Sequence, residues 1–148
     1  MNAVVTGLDR MIDDGFAPLR GQRLGLVVHP ASRDRRLRRG WCLAHGSANT
    51  DVRALFGPQH GFLGQTQDNM IEWDSYLDPK TGLPFYSLYG ETRKPKPEML
   101  KNVDVMVIDL QDIGARYYTY IYTMALTMEA CAEPVSYTHL TLPTRCHR

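Results

Sequence analysis

The run VDVMVIDL, residues 103–110, constrains the fold more than any other segment, because both of its strand faces are apolar. Val105 and Val107 would lie on one face of a strand, and Met106 and Ile108 on the other. A strand that is buried on both faces is typical of the centre of a parallel sheet, whose two faces are covered by helices. The segment therefore predicts a strand at the heart of an α/β fold.

The rest of the chain alternates strand-like and helix-like segments in the way that such a fold requires. Strands are predicted at 24–28, 51–57 and 84–89, and helices over 34–45 and from Pro97 onwards. A further helix is expected after residue 116, and its apolar face would consist of Tyr117, Ile121, Met124, Ala125 and Met128. We predict a Rossmann-like, mostly parallel sheet with flanking helices.

Polar groups follow several of the predicted strands. They are His29, the Gln59–His60 pair, the Gly90–Glu91 corner and residues 109–116. Ligands of open α/β sheets bind beyond the carboxyl ends of the strands, so these groups should converge on one edge.

Several of these residues have both a structural and a functional interpretation. His60 lies in a glycine-containing loop and is followed by Gly61. It either forms hydrogen bonds with the backbone of the loop or contacts a ligand, since glycine allows a backbone to approach a ligand closely. Asp109 and Asp112 can cap the next helix, bind a cation or hold a sugar hydroxyl. Arg116 can bind a carboxylate in a bidentate manner or simply pair with Asp112.

Two glutamates, Glu72 and Glu91, are well placed for proton transfer, and their spacing does not distinguish them. Four tyrosines near the last helix cannot all be buried, so one or two should reach the cleft, where aromatic faces suit sugar rings. These are Tyr117, Tyr118, Tyr120 and Tyr122.

Composition argues against other classes of function. The formal net charge is +1, which gives no reason to expect nucleic acid or an anionic membrane as a partner. The basic stretch at 33–40 is interpreted as a solvated helix face rather than a binding patch. No phosphate-binding glycine motif or GxSxG elbow is present, and the His and Asp residues are too scattered for a metal. We therefore expect no cofactor and no metal.

Three cysteines without metal-binding spacing argue against a disulfide framework and against structural zinc. No apolar run approaches the length of a membrane span, and charged residues interrupt the first segment early, so a cytoplasmic location is expected. The oligomeric state is left open.

The last residues, VSYTHLTLPTRCHR, are Thr-rich and show neither strand nor helix periodicity. They resemble translated sequencing-adapter read-through. We therefore predict a partial Rossmann-like catalytic domain over 1–134 and a non-native tail over 135–148. The domain would then be the N-terminal part of a longer protein.

Three segments taken together resemble the exo-β-N-acetylmuramidase family, formerly catalogued as a domain of unknown function. They are LFGPQHGFLG, DPKTGLPFYSLYGETRKPKPEML and VDVMVIDLQDIGARYYTYIYTM. The resemblance implies a Rossmann-like domain that carries most of the active site and a C-terminal domain that is absent here. It also implies release of N-acetylmuramic acid from non-reducing ends of peptidoglycan fragments during cell-wall recycling.

The resemblance assigns site residues by position. Six residues match the family pattern: His60, Asp109, Gln111, Asp112, Arg116 and Tyr118. Arg116 is expected to bind the lactyl carboxylate of muramic acid. Glu72, His60 and Asp112 are the predicted catalytic residues, and Gln59, Asn69 and Glu91 join the substrate-binding set with Asp109, Gln111, Arg116 and Tyr118.

One departure from the family pattern concerns catalysis directly. The family motif Pro-Glu-His-Gly reads Pro-Gln-His-Gly here, with Gln59 in place of the glutamate. An amide cannot titrate, so it cannot exchange a proton during glycoside cleavage. Three alternatives follow: Glu72 acts as the acid, the protein binds sugar without cleaving it, or the glutamate was never the proton donor. The isolated chain, without a second domain, is expected to be inactive.

Overall fold

The computed structural model describes residues 4–64, 72–116 and 118–133, and it contains a five-stranded sheet between two layers of helices. The strands are β1 (Arg23–Val28), β2 (Asp51–Gly57), β3 (Tyr76–Leu77), β4 (Pro84–Ser87) and β5 (Val105–Asp109). The helices are α1 (Gly7–Asp13), α2 (Gly40–His45), α3 (Pro97–Leu100) and α4 (Tyr120–Ala132), with a 3₁₀ turn at Ala17–Leu19.

The strand order is β3-β4-β2-β1-β5, and every pair is parallel except β3 with β4. This confirms the predicted α/β class with a mostly parallel sheet. The predicted strands at 24–28, 51–57 and 103–110 are present as β1, β2 and β5, with at most small shifts of their ends. The strand predicted at 84–89 is shorter in the structure, where it forms β4. The helix expected from Pro97 is α3.

Successive residues of the central strands supply two separate cores. On one face, side chains such as Leu26, Val28 and Val105 pack against α1 and α2. On the other face, Val27 and Met106 are among the residues that pack with α3 and α4. The alternation follows from the pleat of a strand, which points successive side chains to opposite faces.

The helix predicted over 34–45 is wrong in its first half. The carboxylate of Asp34 accepts hydrogen bonds from the backbone N–H groups of Arg36 and Arg38 at 3.0 and 2.8 Å, which favours a turn over a helix. Leu37 has a φ of 61°, so the backbone there is left-handed and the helix begins only at Gly40. Guanidinium groups of the basic stretch are engaged locally, for example that of Arg38 with Asp34 at 2.7 Å.

The predicted apolar face of the last helix is only partly correct: Met124 packs against the core, but other members of the face do not. Ile121 and Met128 of α4 are exposed, whereas Thr123 and Thr127 are buried against the sheet. The hydroxyl of Thr127 donates to the carbonyl of Thr123 at 2.7 Å, so the threonine is buried without an unsatisfied polar group. Tyr117 lies outside the described residues, as do the predicted tail at 135–148 and Asn69.

Candidate functional site

β1 and β5 are neighbours in the sheet, and the chain segments that follow them diverge, which predicts a crevice at the carboxyl end of the sheet. These neighbouring strands lead into helices on opposite faces, α2 on one and α4 on the other. Chains that diverge in this way leave an opening between the strand ends, which is where ligands of open α/β sheets bind. Val28 and Asp109 pair across the two strands at this point.

Ser32 links the loops that follow β1 and β5 through hydrogen bonds. Its hydroxyl accepts a hydrogen bond from the backbone N–H of His29 at 3.0 Å and donates one to the backbone carbonyl of Asp109 at 2.7 Å. The backbone N–H of Gln111 donates to Nε2 of His29 at 3.2 Å, and the Gln111 amide donates to the carbonyl of Ala31 at 3.2 Å. The loops after β1 and β5 are therefore held as one unit.

His29 acts in this unit as a neutral acceptor. The side chain is buried, and its ring lies edge-on to Tyr120 with the centroids 4.9 Å apart. Burial lowers the pKa of His29 from 6.5 to about 4, because the charged imidazolium would lose its hydration. The unprotonated Nε2 is thus available to accept from Gln111 at neutral pH.

Asp109 is the acid at the carboxyl end of β5, and its side chain is partly buried. Burial raises the pKa of its carboxyl from 3.8 to about 6, and the nearby Ser32 hydroxyl offsets part of that effect. A group with this pKa exchanges protons close to neutral pH, which is the property required of a general acid or base.

The Gln59–His60 loop approaches the crevice from β2. The Oε1 atom of Gln59 accepts a hydrogen bond from the Thr119 hydroxyl at 2.9 Å, directly before α4. His60 has a φ of 69° and Gly61 a φ of 75°, so consecutive residues are left-handed. For a residue with a Cβ atom this conformation is uncommon, and strain of this kind clusters at functional sites.

Trp73 supports that loop from behind. Its indole N–H donates to the carbonyl of Pro58 at 3.2 Å, and its backbone N–H donates to the backbone carbonyl of Tyr89 at 3.4 Å. A Cβ atom at Gly57 would lie 2.7 Å from Cζ2 of the indole, so only glycine permits this packing. Trp73 therefore joins the loops that follow β2 and β4.

The structure brings together some of the predicted site residues. Asp109, Gln111 and Gln59 belong to the contacts described above, and the ring of Tyr118 lies 4.5 Å from that of Tyr120. Arg116 is exposed in the loop after β5, and among residues 4–64, 72–116 and 118–133 its guanidinium has no ion-pair partner.

Other predicted residues are engaged elsewhere. The Asp112 carboxylate is exposed and accepts from the backbone N–H of Gly114 at 2.7 Å. Glu72 is exposed and lies 3.5 Å from Arg93, whose guanidinium stacks over Tyr89. Glu91 is exposed and binds the ammonium group of Lys96 at 2.8 Å, a contact that lowers the pKa of Glu91.

Sequence reasoning missed Ser32, Thr119 and Trp73 as parts of the site. A signal for the first was present, since Ser32 follows the strand end His29-Pro30 by two residues, a spacing at which serine commonly bonds to loop backbone. Within the described part of the chain, no three His, Cys, Asp or Glu side chains converge to hold a metal ion. No helix there is long and apolar enough to cross a membrane.

Comparison with known proteins agrees with this architecture. The chain is 48% identical over 130 residues to the peptidoglycan β-N-acetylmuramidase NamZ of Bacillus subtilis strain 168, covering 88% of this chain and 31% of that protein. Two crystal structures of DUF1343 family proteins from Bacteroides fragilis NCTC 9343 superpose with TM-scores of 0.79 and 0.71 at 44% and 29% identity.

Those superpositions cover 91% and 94% of this chain, but only 33% and 34% of the Bacteroides chains. The chain thus spans about a third of the length of its relatives. Residues 24–139 match the family described as exo-β-N-acetylmuramidase NamZ, N-terminal. With the sheet, the crevice and these likenesses in agreement, the chain belongs to the exo-β-N-acetylmuramidase family and corresponds to its N-terminal region.

Proposed function

We propose that the full protein containing this chain is a glycoside hydrolase that releases N-acetylmuramic acid from the non-reducing ends of peptidoglycan fragments. The observation that carries the proposal is the 48% identity to a peptidoglycan β-N-acetylmuramidase over 88% of the chain. The crevice between β1 and β5 supports it, since a partly buried acid, amide groups and tyrosines lie at the same sheet edge. The 148-residue chain alone is expected to be inactive.

Arg116 is proposed to bind the lactyl carboxylate, the group that distinguishes muramic acid from glucosamine. No residue in the described part of the chain forms an ion pair with the Arg116 guanidinium, which can therefore make the bidentate contact that a carboxylate favours. Tyr118 is proposed to face the sugar ring, and Gln59, Gln111, Glu91 and Asn69 to bind hydroxyl or acetamido groups.

A chromogenic N-acetylmuramide glycoside tests the activity of the full protein directly. Turnover that is inhibited by N-acetylmuramic acid supports the proposal, and the absence of turnover at any pH between about 5 and 8 contradicts it. Arg116→Gln should weaken inhibition by N-acetylmuramic acid while leaving inhibition by N-acetylglucosamine unchanged, because only the former carries the carboxylate.

Gln59 favours a second candidate, a muramic-acid-binding protein that does not cleave its ligand. Its amide cannot titrate, and its oxygen is already engaged by the Thr119 hydroxyl. Saturable binding of N-acetylmuramic acid by calorimetry, without turnover of the glycoside, would favour this candidate over the hydrolase.

A further inference from the structure

Asp109 is the last residue of β5 and lies at the carboxyl edge of the sheet beside Val28 of β1. Side chains alternate along β5, so Val105, Val107 and Asp109 point to one face of the sheet. On that face lies a cavity of about 250 Å³ between α1 and α2, whose lining is almost entirely apolar. Asp109 ends the row at the carboxyl edge of the sheet and is part of the lining of this cavity.

The groups around Asp109 do not stabilise a negative charge strongly. Trp41 and Ala44 of α2 and Met11 of α1 contribute apolar surface to the cavity. Arg10 of α1 also lines it, but its guanidinium is largely exposed and lies 3.5 Å from the Asp14 carboxylate.

The loop after β1 places Ser32 and His29 beside the end of β5, and its Arg33 and Arg38 guanidinium groups are engaged by the Pro30 carbonyl and the Asp34 carboxylate instead. His29 is neutral because burial lowers its pKa to about 4. The Ser32 hydroxyl donates to the backbone carbonyl of Asp109. On the far side of His29, the rings of Tyr118 and Tyr120 are uncharged neighbours. Burial therefore dominates and raises the pKa of Asp109 to about 6, so the protonated form persists to near-neutral pH.

The other predicted catalytic carboxyl groups lie at the surface. Glu72 is exposed and lies 3.5 Å from the guanidinium of Arg93, and Asp112 is exposed and accepts a backbone N–H bond. Neither carboxyl group lines the cavity that Asp109 borders.

We propose that Asp109 is the catalytic acid, which donates its proton to the glycosidic oxygen as the bond from that oxygen to the anomeric carbon breaks. This inference rests on the proposed function and names the group that performs its proton transfer. The bonding electron pair stays on the oxygen, so the leaving sugar departs as an alcohol and Asp109 becomes a carboxylate. Water adds to the anomeric carbon and loses a proton to solvent, and solvent reprotonates Asp109, so one water is consumed for each bond cleaved.

The decisive test compares two substrates whose leaving groups differ in their need for a proton. The full protein and its Asp109→Asn variant are assayed with a muramyl disaccharide and with the 2,4-dinitrophenyl glycoside of N-acetylmuramic acid. General acid catalysis contributes about 10²–10⁴-fold, so the variant should lose that factor in kcat on the disaccharide. The dinitrophenolate leaves without protonation, so its release should fall by less than about tenfold.

The comparison separates a catalytic role from a structural one, because a misfolded variant loses both activities together. Asp51→Asn is the matched control, since Asp51 lies at the opposite end of β2 and pairs with Arg53 at the surface. It should leave both activities unchanged. In the unmodified protein, kcat/KM for the disaccharide should fall as pH rises through about 6, and Asp109→Asn should lack that fall.

Equal losses on both substrates, or no loss on the disaccharide, would overturn the role of Asp109 while leaving the hydrolase activity established. The same holds if Glu72→Gln or Asp112→Asn shows the substrate-dependent loss instead. If the unmodified protein hydrolyses neither substrate, the proposed function fails, and the role of Asp109 fails with it.

Discussion

Buried His29 and partly buried Asp109 should make opposite contributions to the pH dependence of stability. The pKa of His29 is lowered from 6.5 to about 4, so the unfolded state binds the proton more readily and this linkage makes stability rise with pH across that interval. The pKa of Asp109 is raised from 3.8 to about 6, so the folded state holds the proton and this linkage makes stability fall as pH rises.

The effects of the two groups on the free energy of unfolding nearly cancel between pH 4.5 and 6. Substituting one group should therefore reveal the pH dependence that the other group contributes. One pH unit of full linkage corresponds to about 1.4 kcal/mol, so this interval is worth about 2 kcal/mol for either group. In Asp109→Asn the free energy of unfolding should rise by about 2 kcal/mol from pH 4.5 to 6. In His29→Gln, which retains an acceptor for Gln111, it should fall by a similar amount.

Urea unfolding of the 148-residue chain, followed by circular dichroism at four or five pH values, measures these slopes. The unmodified chain should change by less than about 1 kcal/mol over the interval. Asp104→Asn is the control: the Arg23 guanidinium lowers the pKa of Asp104 to about 2, so its linkage lies below this range. Parallel profiles for the unmodified chain and both test variants would refute the assignment of two opposed buried groups.

Three further predictions concern Trp73 and the acid range. Trp73→Phe should cost about 1 kcal/mol by removing one of the two hydrogen bonds that the Pro58 carbonyl accepts, the other coming from the backbone N–H of Gly61. Trp41→Phe should cost less in thermal denaturation, because the buried indole N–H of Trp41 has no partner among the described residues; equal losses would contradict this. Gly57→Ala should cost about 1–3 kcal/mol through its 2.7 Å approach to Trp73, and less in a Trp73→Phe background, which a double-mutant cycle would detect. Asp104→Asn should flatten the loss of stability as pH falls from 3.8 towards 2, because the lowered pKa of Asp104 stabilises the fold only while the carboxyl is ionised; an unchanged acid-unfolding curve would count against the ion pair.

The central strands were predictable because burial on both faces leaves a continuous apolar run in the sequence. This holds for β1, β2 and β5, whereas β3 has only two residues, Tyr76 and Leu77, and leaves no such run. The buried face of α4 was not predictable from hydrophobicity. Thr123 and Thr127 take core positions by bonding to carbonyls of the preceding turn, while the more apolar Ile121 remains exposed.

The site was predictable in outline but not in its chemistry. Strand-end position alone placed Asp109, Gln111 and Gln59 on the same edge, because parallel strands share a carboxyl edge. The burial that raises the pKa of Asp109 depends on α1 and α2, which are distant in sequence and leave no local signal. The role of Ser32 likewise depends on a contact between residues 77 positions apart.

Release of free N-acetylmuramic acid from a muramyl disaccharide by the full protein, followed by mass spectrometry over time, tests the central claim most directly. We predict steady release of one N-acetylmuramic acid per disaccharide in the unmodified protein, with a loss of about 10²-fold or more in Asp109→Asn. Saturable binding of the disaccharide with no release in the unmodified protein would contradict the hydrolase account and identify a sugar-binding protein instead.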